Sequence, residues 1–186
     1  MKILISDKMS EKVEDVLKSK SIEYDIKTGM APEELKSVID QYDGILIRSA
    51  TKLTAEILAD CKNLKVVGRA GVGVDNVDLD TATKNKILVM NTPLGNLEAT
   101  AELTIGLMFS LYRHIHLANQ STHDGKWEKS KFMGTELKGK TLGIVGFGNI
   151  GQRVAEMASV IGMKIITNSN SASDKDLSKL GASKVS

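Results

Sequence analysis

The chain has 186 residues, of which 41% are hydrophobic and 26% are charged, enough apolar material for one large core or two small ones. A formal net charge of +2 without a block of like charges gives no support for binding nucleic acid, and no apolar run has the length of a membrane span. Cys61 is the single cysteine, so an internal disulfide and a cysteine-based metal site are excluded, and we expect an apolar packing residue in a reducing cytoplasm.

In the first half of the chain, short apolar runs alternate with helical patterns. Strands are expected at residues 2–6, 22–27, 45–47, 64–67 and 87–90. The helices between them are expected to bury Val13, Val16 and Leu17, then Leu35, Val38 and Ile39, then Ile57 and Leu58, with a short helix at about 78–84. This alternation is typical of a parallel sheet covered on both faces, so we expect residues 1–95 to form a flavodoxin-like domain.

Three loops of this domain follow expected strands and therefore lie at one edge of the sheet, where open α/β sheets bind ligands. The loops are residues 48–51, 68–75 and 91–93. Arg48 and Arg69 could hold a carboxylate or phosphate by paired hydrogen bonds, although each could also be a solvated surface residue. The N–H groups around Val72 and Gly73 could bind the same group as a backbone nest. The rim thus predicts a small acidic substrate, with Asn91 beside it.

A long helix is expected from about residue 97 to residue 119. Its apolar residues are too many for one face, so it should be covered on more than one side, either joining two domains or meeting a partner subunit. Trp127, in the loop that follows, is expected to be a packing anchor.

The most informative stretch is residues 141–167, where a strand, a helix and a second strand follow one another. Gly146-Phe147-Gly148-Asn149-Ile150-Gly151 stands between the first strand and the helix, the context in which G-x-G-x-x-G indicates dinucleotide binding. Gly146 would permit the tight turn, Gly148 a close approach of the pyrophosphate, and Gly151 tight packing of helix on strand. The N–H groups near Asn149 and Ile150 would face the anion. The alternative is a plain βαβ turn that uses glycine only for its geometry.

After residue 167 we expect only a polar tail and a short helix near residues 177–180. A doubly wound nucleotide domain has two βαβαβ halves, so residues 96–186 are expected to form an incomplete Rossmann domain with less than one half present.

Several motifs in one order resemble the D-isomer-specific 2-hydroxyacid dehydrogenases, most closely the D-3-phosphoglycerate dehydrogenase branch. They are RSAT (48–51), GRAGVGVDNVD (68–78), VMNTP (89–93), AELT (101–104), DGKWEKSKFMGTEL (124–137) and KGKTLGIVGFGNIG (138–151). The resemblance implies NAD-dependent oxidation of 3-phospho-D-glycerate to 3-phosphohydroxypyruvate, the first step of serine synthesis, by a cytoplasmic homo-oligomer without a metal.

The resemblance also implies roles for particular residues. It places Arg48, Ser49, Arg69, Val72, Gly73 and Asn91 at the substrate, and Val72, Gly146, Gly148, Asn149, Ile150, Gly151 and Ser169 at the cofactor.

Two departures from the family pattern affect these expectations. The catalytic Arg, Glu and His of the family are expected beyond Ser186, so the chain reads as a truncated form that is inactive alone, and His114, His116 and His123 are read as surface residues. Ser169 stands where the family usually has an Asp that binds the ribose and repels NADP, so NAD is expected but NADP is not excluded. The alternatives are a non-catalytic nucleotide-binding or dimerising fragment and a related hydroxypyruvate or glyoxylate reductase.

Overall fold

The computed structural model describes residues 1–170 and 172–185, which divide into two compact units, residues 1–95 and residues 96–186. Each unit is a parallel sheet with helices, as the alternating pattern predicted.

The first unit is a five-stranded parallel sheet whose strands run in the order β2-β1-β3-β4-β5. Its strands are β1 (Lys2–Ile5), β2 (Glu23–Ile26), β3 (Gly44–Ile47), β4 (Val66–Arg69) and β5 (Leu88–Asn91). Its helices are α1 (Lys12–Ser19), α2 (Pro32–Val38), α3 (Ala55–Leu58) and α4 (Leu79–Lys84), with a 3-10 turn at Ile39–Gln41. The chain places β2 on one side of β1 and β3 on the other, which is the flavodoxin-like order and confirms the expected fold.

Successive side chains along the strands point to opposite faces of this sheet, and both faces are packed. Leu4 packs into a cluster with Ile45 and Ile47, while Ile3 and Ile5 pack with Leu17 on the opposite face. Cys61 is buried in the first cluster, as expected for an apolar packing residue. The helix α1 differs from expectation at one position, because Val16 is 58% exposed and the inward positions are Val13 and Leu17, one turn apart.

The second unit has a three-stranded parallel sheet in the order β6-β7-β8. Its strands are β6 (Thr141–Val145), β7 (Lys164–Asn168) and β8 (Ala182–Lys184). Its helices are α5 (Leu97–Tyr112), α6 (Ile115–His123), α7 (Asn149–Val160) and α8 (Asp174–Lys179), with a 3-10 turn at Lys129–Phe132. The helices α5 and α7 pack together, and Phe147, Ala155 and Ile165 lie in the core cluster.

Three expectations for this unit were wrong. The helix expected over residues 97–119 is two helices, because His114 takes a left-handed conformation (φ 53°) that interrupts the helix between α5 and α6. Trp127 is 85% exposed and so is no packing anchor within the unit. The sheet holds more than was expected, because α8 leads into β8 and completes one βαβαβ half.

Candidate functional site

The first candidate site lies along the carboxyl edge of the five-stranded sheet. Because all five strands are parallel, the residues that follow β1, β3, β4 and β5 meet at this edge. The segment after β3 and the Gly-rich loop after β4 are tied together by a bridge between Leu53 and Val77, and the Asp78 amide donates to the Leu53 carbonyl at 2.8 Å. A cleft of about 440 Å³ opens beside them, with Ser49 and Asn76 in its lining.

The segment Arg48–Thr51 presents both charge and backbone donors. The Arg48 side chain is exposed, and its only hydrogen bond within the described chain is a long one of 3.4 Å from Nη1 to the Lys8 carbonyl. The amides of Ser49 and Ala50 donate to no acceptor among residues 1–170 and 172–185. These groups remain available to an anion.

Arg69 differs from Arg48, because its side chain is only 11% exposed and is turned onto its own loop. It is the last residue of β4, and its guanidinium occupies the space that a Cβ at Gly71 would need. One nitrogen, Nη2, lies 3.8 Å from the Asp75 carboxylate, while Nε is buried without a partner in the described chain. Arg69 is thus no solvated surface residue, and its charge sits directly beside the glycines of the loop.

The Gly-rich loop offers further donors. The amides of Val72 and Gly73 have no acceptor within the described residues. The Val72 carbonyl accepts a hydrogen bond of 2.6 Å from Asn91 Nδ2, and the Gly71 carbonyl accepts one of 3.0 Å from the Thr92 amide. Asn91 therefore supports the loop through its amide nitrogen.

The second candidate site is the turn between β6 and α7, where each glycine has its own geometric reason. Gly146 has φ +89°, which only glycine adopts without strain. A Cβ on Gly148 would meet no atom of the described residues within 4 Å, so the backbone there faces open space in that part of the chain. A Cβ on Gly151 would collide with the Gly146 carbonyl oxygen, so α7 lies against the end of β6 as closely as a glycine allows.

The start of α7 is suited to an anion. The helix has twelve residues, and no side chain of residues 1–170 or 172–185 caps its first amides, which begin at Asn149 and Ile150. Uncapped N–H groups and the helix dipole together favour a phosphate. Phe147 is buried and fixes the turn in the core, and its carbonyl accepts a hydrogen bond of 3.0 Å from Gln152 Nε2.

Ser169 directly follows β7 and is 8% exposed. It lies at the carboxyl end of the second strand of the unit, the place that the sequence pattern gave it. The residues on either side of it, Asn168 and Asn170, are exposed.

The three histidines lie on or next to α6, and none belongs to the segments described above. His114 and His116 are at the start of α6 and His123 at its end, and His123 Nδ1 lies 2.9 Å from the Asn119 carbonyl. Among the described residues, no group of three or more His, Cys, Asp or Glu side chains could hold a metal ion. No helix in that part of the chain is long and apolar enough to cross a membrane.

The clearest pKa shifts occur outside both sites. Burial, together with a hydrogen bond to Asp25, raises the pKa of Tyr42 to about 12. A hydrogen bond from Lys2, and then one from Tyr42, lower the pKa of the Asp25 carboxyl. These groups lie in the first unit, with Lys2 on β1 and Asp25 on β2.

Sequence reasoning missed two residues of the rim. Asp7 is 6% exposed and accepts hydrogen bonds from the Arg48 and Thr51 amides, and Asn76 Nδ2 donates to the carbonyls of the same two residues. Asp7 could have been noticed as a charged residue immediately after an apolar strand, but its partners lie more than 40 positions away in the sequence.

Comparison with known proteins gives one family. The model of the D-isomer specific 2-hydroxyacid dehydrogenase catalytic domain matches residues 3–182. A D-3-phosphoglycerate dehydrogenase from Archaeoglobus fulgidus is 45% identical over 166 residues, which are 89% of this chain and 32% of the relative. A hydroxypyruvate reductase from Thermotoga maritima is 42% identical over 176 residues, which are 95% of this chain and 58% of the relative. The chain thus spans about a third of the length of the phosphoglycerate dehydrogenases that it matches.

Solved structures share the fold over the whole chain. A D-lactate dehydrogenase from Aquifex aeolicus, complexed with NAD and lactic acid, has a TM-score of 0.85 at 28% identity, covering 99% of this chain and 56% of that one. An acyclic imino acid reductase in complex with NADPH and D-Arg has a TM-score of 0.86 at 24% identity, covering 100% of this chain and 60% of that one, a likeness of fold alone.

Proposed function

The chain belongs to the D-isomer specific 2-hydroxyacid dehydrogenase family, and on that premise we propose that the protein containing it oxidises 3-phospho-D-glycerate to 3-phosphohydroxypyruvate with NAD. This is the first step of serine synthesis. The observation that carries the substrate side is the rim of the first sheet. Two arginines lie there on adjoining loops with four amides, at Ser49, Ala50, Val72 and Gly73, that have no acceptor among the described residues.

The rim suits a small acid with two anionic groups. Arg48 is exposed and nearly uncommitted, so it can form a charge-assisted pair with a carboxylate or phosphate. The amides of the Gly-rich loop can bind a second anionic group as a nest, with the Arg69 charge beside them. Asn91 and Ser49 complete the proposed substrate contacts.

The turn after β6 suits the pyrophosphate of the cofactor. Gly146, Gly148 and Gly151 shape the turn, the amides at Asn149 and Ile150 would hold the phosphates, and Ser169 would bond the adenosine ribose. The resemblance also assigns Val72 to the cofactor. When bound, NAD supplies the hydride acceptor. We propose NAD ahead of NADP because no arginine is present near Ser169 in the sequence to grip a 2′-phosphate.

The described residues of the rim include no histidine that could take the hydroxyl proton of an alcohol. Oxidation of an alcohol needs such a base. We therefore assign substrate and cofactor binding to these 186 residues and propose that they give no turnover alone, with the family's catalytic Arg, Glu and His lying outside them.

Self-association is proposed for the second unit. Leu103, Leu107 and Leu111 lie one turn apart along α5 and are each more than 60% exposed. A row of leucines of this size is unusual on the surface of a monomer, so a second copy is the proposed cover.

A second candidate is a related hydroxypyruvate or glyoxylate reductase, which the similarity to the Thermotoga maritima protein favours. A third is a fragment that only binds nucleotide or pairs with another subunit. The rate of NADH oxidation with hydroxypyruvate or glyoxylate can be compared with the rate of NAD reduction with 3-phosphoglycerate at equal saturation. A faster NADH oxidation would favour the reductase function.

The test is steady-state kinetics of the protein that contains these residues, with Arg48→Ala as the variant. Loss of one charge-assisted contact of about 1.5–3 kcal/mol should raise KM for 3-phosphoglycerate by about 10–150-fold and leave KM for NAD nearly unchanged. Lys62→Ala, an exposed cation on the loop before β4 at the opposite edge of the sheet, is the matched control and should change neither constant. Equal effects of Arg48→Ala on both constants would contradict the proposed rim. Residues 1–186 alone should reduce no NAD above a blank.

A further inference from the structure

The segment Arg48–Thr51 is held by hydrogen bonds to one buried carboxylate, that of Asp7. Asp7 Oδ2 accepts hydrogen bonds from the Arg48 amide at 2.5 Å and from the Thr51 amide at 3.2 Å, and Oδ1 accepts one from the Thr51 hydroxyl at 2.8 Å. The Thr51 hydroxyl also lies 2.9 Å from Ser6 Oγ. Asp7 thus holds the two ends of the segment.

The same segment is also held by a side-chain amide, that of Asn76, on the loop after β4. Asn76 Nδ2 donates to the Arg48 carbonyl at 2.7 Å and to the Thr51 carbonyl at 2.6 Å. The Asn76 carbonyl accepts a hydrogen bond from the Leu53 amide at 2.8 Å, so the two loops are also joined through their backbones. Residues 48 and 51 therefore have both N–H and C=O committed, whereas the amides of Ser49 and Ala50 between them have no acceptor in the described chain.

The electrostatics of Asp7 explain what this arrangement achieves. The residue is 6% exposed, and among residues 1–170 and 172–185 no lysine or arginine nitrogen lies within 4.0 Å of its carboxylate. A buried carboxylate without a cation needs several hydrogen-bond donors, and those that Asp7 finds among the described residues all come from the segment Arg48–Thr51. Its negative charge would repel an anionic substrate, so a direct contact with the substrate is not its role.

We propose that Asp7 and Asn76 are positioning residues that preorganise the Arg48–Thr51 segment for the anionic group of the substrate. The inference rests on the proposed function, since it takes the segment to be the substrate loop. Donors fixed before the substrate arrives need no reorganisation when it binds, which is the condition for a strong anion site. Free rotation of the segment would instead spread the Ser49 and Ala50 amides over many directions.

The experiment compares Asp7→Ala and Asp7→Asn with a matched control, Asp40→Ala. Asp40 Oδ1 accepts hydrogen bonds of 2.7 Å from the amides of both Lys62 and Asn63, so it also holds a loop, but the loop precedes β4 and lies at the other edge of the sheet. Each variant of the protein containing these residues is measured for KM with 3-phosphoglycerate, KM with NAD, melting temperature, and hydrogen exchange of the amides of residues 48 and 51.

Asp7→Ala should raise KM for 3-phosphoglycerate by about tenfold or more, leave KM for NAD within about twofold, and speed exchange at residues 48 and 51. Asp7→Asn, which keeps one oxygen for the two amides, should recover most of both effects. Asp40→Ala should lower the melting temperature without changing either KM. If Asp7→Ala does not fold, Asn76→Ala takes its place. It removes the two hydrogen bonds to the Arg48 and Thr51 carbonyls, and we expect the same changes in KM and in exchange.

In Asp7→Ala, either of two results would overturn this inference without touching the proposed function: unchanged exchange at residues 48 and 51, or faster exchange there with an unchanged KM for 3-phosphoglycerate. An equal rise in KM from Asp40→Ala would also overturn it, because the effect would then come from general destabilisation. Failure of the wild-type protein to bind or oxidise 3-phosphoglycerate would overturn the proposed function and, with it, the assignment of the segment to that substrate.

Discussion

Replacing Gly151 by alanine should separate the structural from the functional role of the turn after β6. The added methyl group would meet the Gly146 carbonyl oxygen and would lie 3.3 Å from Ile144 Cγ2. A backbone oxygen cannot rotate away as a flexible side chain can. The helix α7 must therefore move away from the end of β6.

The magnitude follows from two opposing effects. Forcing a methyl group into a packed site typically costs about 1–3 kcal/mol, and a clash with backbone belongs at the upper end of that range. Alanine favours a helix over glycine by at most about 1 kcal/mol, and less in the first turn, so the net loss should be about 2 kcal/mol. For a unit the size of residues 96–186, this lowers Tm by about 8–16 °C.

The assay is calorimetric or urea unfolding of three alanine variants, with NAD titrations on each folded one. Gly148→Ala meets nothing within 4 Å and has φ −76°, so its stability should stay within about 0.5 kcal/mol of the wild type. Its NAD affinity should fall by about tenfold or more, since the methyl group would occupy the space proposed for the pyrophosphate. Gly106→Ala, inside α5 with open space around it, should add about 0.5–1 kcal/mol of stability.

The reasoning would be refuted by wild-type stability of Gly151→Ala, because the close contact of helix and strand would then not need a glycine. Unchanged NAD binding by Gly148→Ala would instead refute the proposed position of the pyrophosphate and leave the packing argument intact.

Three further outcomes are expected. Ser169→Asp should tighten NAD and weaken NADP, because a carboxylate accepts the ribose hydroxyls and repels a 2′-phosphate; a wild-type preference for NAD of about a thousandfold, measured by titration, would show that Ser169 is not the discriminating position. The hydrogen bond from Lys2 lowers the folded-state pKa of Asp25, so the ionised carboxylate stabilises the fold fully above its unfolded-state pKa, and this stabilisation is lost as the pH falls through the folded-state pKa. When Tm is measured at decreasing pH below about 4, it should therefore fall less steeply in Asp25→Asn than in the wild type. The exposed row on α5 should drive association at micromolar concentration that Leu107→Lys weakens, and sedimentation of the wild type as a clean monomer would speak against it.

The sheets could be predicted from the sequence because their signals are local. Runs such as Lys2–Ile5 and Gly44–Ile47 bury residues from neighbouring positions, and the turn at Gly146 follows directly from its strand. The break at His114 carries no such signal, because neither glycine nor proline marks it and the left-handed residue is a histidine. The strand β8 (Ala182–Lys184) was missed for a similar reason, since a short strand of small and polar residues has no apolar run.

The candidate site was predictable only in part, and for a physical reason. Arg48 and the Gly-rich loop follow strands, so their place at the rim depends only on the topology. The contacts of Asp7 and Asn76 join residues 25 to 44 positions apart, and only the folded backbone brings them together. The burial of Arg69 was also invisible in the sequence, because it depends on the guanidinium turning onto Gly71.

In the proposed function, both candidate sites would bind anions through backbone N–H groups at the carboxyl ends of parallel strands, but their specificity would have different sources. In the turn from Gly146 to Gly151 no side chain is charged, so the proposed binding of a phosphate would depend on backbone geometry that substitution of a glycine disturbs. At the rim, charge comes from arginine side chains, and the backbone is held by Asp7 and Asn76, which need not touch the ligand. A replacement at Arg48 can therefore change which acid is bound while the supporting contacts keep the loop in place. Replacement of Asp7 or Asn76 should instead weaken the binding of every acid. Mutations at Arg48 and mutations at these two positioning residues should therefore have different effects on substrate selectivity.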